Sequence, residues 1–212
     1  MSFLTPNFAE ERAKVPKLFE SRDPLYPRVT ITDAAVQAAD GDIQVDLDGI
    51  HELLRTNLGL EKEVTPKFVL YGKRESSAIL GLHVPFTKTA YVNLPSSEYA
   101  GSASSTLIHE AVHLVDSLER PIRTAGEVAL RWASHKGSML AGAKASLLLP
   151  GPLITDAAAH MITYYNLRMG LYYRHLDPSE NRARSVQNDP EILNKYGQII
   201  KVGAGSGRIA MF

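Results

Sequence analysis

The chain has 212 residues, 44% of them hydrophobic, and its 23 basic and 23 acidic side chains balance to a formal net charge of zero. That composition describes one folded domain and excludes disorder. With neither a Lys/Arg cluster nor a long apolar run, it also argues against nucleic acid, an anionic membrane surface or a membrane span. No cysteine is present, which excludes disulfides and thiolate metal ligands.

The first residues, Met-Ser-Phe-Leu-Thr-Pro, lead into a charged stretch, so no signal peptide is expected and a cytoplasmic location is the default. Residues 1–28 carry Pro6, Pro16, Pro24 and Pro27 and read as an N-terminal arm with at most a short helix over Glu10 to Phe19. Val29 to Thr32 suits a first strand. Ile43, Leu47, Ile50, Leu54 and Leu58 recur at helical spacing before Gly59, which predicts one amphipathic helix over Asp42 to Leu58. Lys67 to Tyr71, Ala78 to Val84 and Ala90 to Leu94 are short runs rich in strand formers, divided by Gly, Ser, Lys and Pro, and they predict three strands.

The next segment carries chemistry. Leu107, Ala111, Leu114, Val115 and Leu118 form an apolar stripe, Ser104 to Thr106 offer N-caps, and Arg120-Pro121 is a stop, so a helix is expected from Ser104 to Glu119. On it lies His109-Glu110-Ala111-Val112-His113, an HExxH motif. Residues four apart stack on a helix, so His109 and His113 can offer two imidazole nitrogens to one tetrahedral zinc. Glu110, one position round, lands where a carboxylate can take a proton from a water activated by the metal. An HExxH arises by chance in roughly one shuffled sequence of this composition in seventy, so context has to carry the assignment. His51-Glu52-Leu53-Leu54-Arg55 begins the same way but ends in arginine, and it reads as surface helix.

Gly126 to Leu149 and Ala157 to Tyr173 predict two more apolar helices, parted by Pro150-Gly151-Pro152, within a helical elaboration over 121–174. Trp132 and the tyrosines 164, 165, 172 and 173 read as their packing, and His135 and His160 as core histidines. Pro178-Ser179 starts another helix, a short one follows Asp189-Pro190, and residues 201–212 form a Gly-rich tail.

Two histidines leave a catalytic zinc one protein ligand short. Glu180, in the first turn of its helix, is the preferred third ligand, with Asp116, His175 and Asp177 as alternatives. Asp116 suits an outer role, holding a histidine or an arginine. His175, or Tyr172 near it, is the candidate donor to the oxyanion.

The order helix, short strands, HExxH helix resembles the zincin-like metallopeptidases, and the Glu180-x-x-Ala183 pattern resembles the third-ligand helix of their gluzincin branch. The likeness covers about residues 67 to 120 and 175 to 184. Asp116 and Glu119 stand where metzincins need glycine and histidine, and the absent cysteine removes peptide deformylase. The resemblance implies a single domain of α+β class, a small twisted sheet over the active-site helix, with further C-terminal helices. It implies Zn2+ held by His109, His113 and Glu180, with Glu110 as general base and His175 as a second catalytic residue. It implies a peptide or protein substrate paired as an added strand on an edge strand, for which Ala78 to Val84 is the candidate. The competing expectation is a non-catalytic zincin-like binding module. A phage- or toxin-type protease would share the chemistry.

Overall fold

The run Lys67–Tyr71 alternates Phe68 and Leu70 with Val69 and Tyr71, and all four are buried, so both faces of this strand need cover. It takes the middle of a five-stranded sheet in the computed structural model, which describes residues 17–19, 23–38, 43–72, 80–94, 103–129 and 177–202. In chain order the strands of this sheet are β1 (Lys17–Phe19), β2 (Arg28–Ile31), β4 (Lys67–Tyr71), β5 (Gly81–His83) and β6 (Thr89–Asn93). Their spatial order is β1-β2-β4-β6-β5. The inner three are parallel, and the outer two, β1 and β5, run antiparallel to their neighbours.

Helix α1 (Asp33–Ala38) follows β2, and α2 (Leu47–Glu52) continues into a π-helical turn over Leu53–Asn57. The long helix α3 (Ala103–Glu119) packs on β6 and β5. Residues 121–129 form α4, followed after a long interval by α5 (Pro178–Gln187) and α6 (Pro190–Tyr196). A two-stranded antiparallel sheet joins β3 (Ile43–Val45) to β7 (Ile200–Val202). The architecture is mixed α and β with a small mixed sheet, compatible with an α+β class. The chain divides into two compact units, 1–120 with 183–212, and 121–182. The sheets and α3 belong to the first. In the second, α4 carries an Arg123–Glu127 pair at 3.0 Å, and α5 begins there and runs on into the first. Among the described residues no helix is long and apolar enough to cross a membrane.

Three expectations are corrected. The single helix over Asp42 to Leu58 is a strand followed by a helix. Ile43 is buried, Gln44 exposed and Val45 half-buried, and the three pair with β7, whose sequence lies far downstream. Asp46 then takes an extended conformation and accepts the Gly49 N–H at 2.9 Å, which starts α2. The short helix over Glu10 to Phe19 is, in its described part, β1. The free edge of β2 supplies these residues with the backbone partners a single helical turn would lack. The tail drawn from residue 201 loses Lys201 and Val202 to β7. The expected strand over Ala78 to Val84 is described as Gly81–His83, and the strand and helix at 67–71 and 104–119 stand within one residue of expectation. The segments 130–149 and 157–173, with Trp132, His135, His160, Tyr172 and His175, lie outside the described residues.

Among the described residues His51 and Glu52 join no group able to hold a metal ion. His51 stacks on Tyr26 at 4.1 Å between ring centroids. The Arg55 guanidinium gathers the carbonyl oxygens of Leu60 and Lys62 (2.8 Å each), Val64 (3.3 Å) and Leu25 (3.4 Å). Gly59, at φ +73°, reverses the chain after the π-helical turn, a conformation that glycine adopts without strain.

Two anchors hold α3. At its start the buried Ser104 Oγ donates to the Ile200 carbonyl at 3.0 Å and accepts the Ile200 N–H at 2.9 Å. At its end the Glu119 carboxylate accepts the N–H groups of Glu61 (3.0 Å) and Lys62 (2.8 Å), and the Lys62 ammonium donates to the Leu118 carbonyl. Removing the Ser104 hydroxyl leaves the Ile200 N–H buried and unpaired, which costs about 1–3 kcal/mol. Ser104→Ala is therefore expected to lower the free energy of unfolding by that amount, read as a lower urea midpoint with an unchanged slope on the metal-free protein.

Candidate metal centre

Twelve of the 17 residues of α3 are buried, Glu110 and Asp116 among them, while His109 and His113 are half-exposed on one side. The i, i+4 spacing brings the two imidazoles together, with Nε2 to Nε2 at 3.2 Å. Two nitrogens bound 2.0–2.1 Å from one tetrahedral ion would stand about 3.3 Å apart, so this spacing fits a shared cation. A second helix completes the group. Asp177 caps α5, its Oδ1 accepting the N–H of Ser179 (3.0 Å) and of Glu180 (3.3 Å) and the Ser179 hydroxyl (2.8 Å). This cap fixes the first turn of α5, on which Glu180 sits. One ligand atom each from His109, His113 and Glu180 lie within 4.8 Å of one another, and among the described residues these three are the group able to hold a metal ion.

The same helix orients His109. Gln187, seven positions after Glu180 and so on the same face, accepts the Nδ1–H of His109 at 3.0 Å while its own amide N–H donates to the Ser105 hydroxyl at 2.8 Å. With Nδ1 protonated, the lone pair of His109 is on Nε2, the atom turned toward His113. Gln187 was not singled out in the sequence. Its seven-residue spacing from Glu180 is the signal that could have found it.

Asp116 is buried and faces Arg120 one turn on, at 3.6 Å, and is not in the three-residue group. Asp177 is a helix cap. His175 lies outside the described residues. Glu110, only 6% exposed, is in contact with Gly81 of β5, where an added Cβ would stand 2.6 Å from its carboxylate oxygen. A Cβ there would force the carboxylate to shift, and its absence lets the carboxylate of α3 lie directly against the backbone of β5.

Comparison with family models, with characterised proteins and with solved structures finds no match for this chain.

The three-residue group and its Gln187 support set an order of effects. Glu180→Ala is expected to reduce zinc affinity by far more than Gln187→Ala, which should cost roughly 10- to 100-fold as outer partners do. Zinc titration against a chromophoric chelator measures both. Equal affinities in Glu180→Ala and wild type would remove Glu180 from the centre.

Proposed function

We propose that this chain is a zinc-dependent metallopeptidase of the zincin type, with His109, His113 and Glu180 as ligands and Glu110 as general base. The observation that carries this reading is the close grouping of His109, His113 and Glu180, with the buried Glu110 next to His109 in sequence and its carboxylate against an edge strand. A purely structural metal site has no use for an acid at position 110, and closed sites usually hold four protein ligands. Zinc bound there would supply a Lewis acid and bring the pKa of a bound water toward neutrality.

The residues of the chain do the rest. Gln187 holds His109 with its Nε2 lone pair inward. Glu110, confined between α3 and Gly81, accepts a proton from the attacking water and returns it to the leaving amine. β5 ends the sheet and pairs with β6 alone among the described strands, so an extended peptide can add to its outer side as a further strand. Leu80 (36% exposed), Val84 (41%) and Phe86 (55%) offer apolar surface at both ends of that strand, suited to a substrate's side chains.

Glu110→Gln is nearly isosteric but does not take up a proton at neutral pH. It is expected to keep fold and zinc and to lose several orders of magnitude in cleavage of a short-peptide library, a fairer assay than general proteins such as casein. A zinc-loaded wild type that cuts nothing in such a library, with Glu110→Gln equally competent in whatever cellular phenotype the protein supports, would replace the peptidase with the binding module. Gly81→Ala tests the positioning of the base. Its methyl group displaces the Glu110 carboxylate, so kcat should fall roughly 10- to 100-fold, as a shift of about 1 Å costs, with zinc retained.

A further inference from the structure

Side chains of a strand alternate between the faces of its sheet. Leu82 packs with Val69, Tyr71 and Tyr91 on one face, so Gly81 and His83 turn to the other, where Gly81 meets Glu110 of α3. Strand and helix then advance together. Gly81 lies against Glu110, and three residues beyond His83 the Phe86 N–H donates to the Ser117 hydroxyl at 2.6 Å. His83 falls between these two contacts, beside His113.

The His83 ring has a fixed tautomer. Its Nδ1 is 3.1 Å from the Thr89 carbonyl oxygen, which only accepts, so the ring proton is on Nδ1 and Nε2 is a lone pair. Burial draws the imidazole down to about 4, opposed by the Thr89 carbonyl and assisted by the charge of His113, so the ring is neutral at pH 7. Nε2 is buried and has no hydrogen-bond partner among the described residues. A buried acceptor without a donor is destabilising, and in a native protein it calls for an explanation. His109 shows the same arrangement, one ring nitrogen fixed by an acceptor and the other presenting its lone pair to the centre. His83 is not in the group whose ligand atoms lie within 4.8 Å of one another, which suits an acceptor one water removed rather than a ligand.

Resting on the metal-centre reading above, we infer that His83 is a further positioning residue of the site, its Nε2 accepting a hydrogen bond from the water that Glu110 deprotonates. Two acceptors, one on α3 and one on β5, would then take the two O–H groups of that water and fix the direction of its lone pairs.

The test uses zinc titration and urea unfolding, neither of which depends on hydrolysis. His83→Phe keeps a flat ring without the lone pair. Its metal-free form should be at least as stable as wild type, while zinc affinity falls roughly 10- to 100-fold. His83→Gln places an amide oxygen near the position of Nε2 and should restore most of that affinity. Should the phenylalanine not fold, His83→Leu serves with the same expectation. A folded His83→Phe or His83→Leu that binds zinc as tightly as wild type overturns the inference, as does a folded His83→Gln that binds as weakly as either. X-ray absorption should count the same number of imidazoles on zinc before and after His83→Phe, and a loss of one would make His83 a direct ligand and overturn the water-mediated role. Wild type that takes up no zinc overturns this inference and the peptidase together. Wild type that binds zinc but cuts no peptide, with the His83 effect intact, removes the peptidase and leaves His83 at the centre.

Discussion

The constraint on which the rest depends is the burial of α3. A helix that hides both its apolar stripe and its Glu110 and Asp116 has to be covered on nearly every side, and each cover positions something. The sheet covers it with β6 and β5, and so puts Gly81 and His83 against the HExxH face. The β3–β7 pair closes its N-terminal end through Ser104, and the 61–62 loop closes its C-terminal end through Glu119. On the side of the half-exposed histidines, α5 brings Gln187 to His109.

How much of this was legible in the sequence depended on the range of the interactions. The HExxH helix was readable because its apolar stripe and its stop lie within or next to its own residues, whereas Ser104 to Thr106, expected as N-caps, sit inside a helix that begins at Ala103. The strand at 67–71 was readable for the same reason, its apolar and aromatic run from Phe68 to Tyr71 being bounded by Pro66-Lys67 and Gly72. The β3 strand was not. Ile43 and Leu47 satisfy a helical period, and what converts residues 43–45 to extended structure is pairing with Ile200–Val202, which no local pattern encodes. His51-Glu52-Leu53-Leu54-Arg55 failed as a motif for a reason the sequence did state, since arginine is no ligand. What that arginine does, gathering four loop carbonyls, required the fold.

The candidate site divides the same way. His109, Glu110 and His113 are set by spacing on one helix. Glu180 was reachable because Pro178 and Ser179 announce a helix start, and the Asp177 cap makes that start firm. Gly81, His83 and Gln187 were not singled out, because their roles are defined by what lies across from them: a carboxylate too close for a Cβ, a carbonyl that fixes a ring, an imidazole that needs an acceptor. Supporting groups are legible only as geometry, since their residue types are ordinary and their partners distant.

The separation of the candidate ligands along the chain also has a consequence for biosynthesis. His113 and Glu180 are separated by a long stretch of sequence, yet their ligand atoms share one group. A chain made from its N-terminus at about 5–20 residues per second exposes the two histidines for several seconds before the glutamate exists, and Gln187 and Ile200 follow later still. During that interval the emerging polypeptide would offer any cation two of the three candidate ligands, and the N-terminal anchor of α3 is not yet formed. Assembly of the three-residue group is thereby deferred until residue 180 has been made.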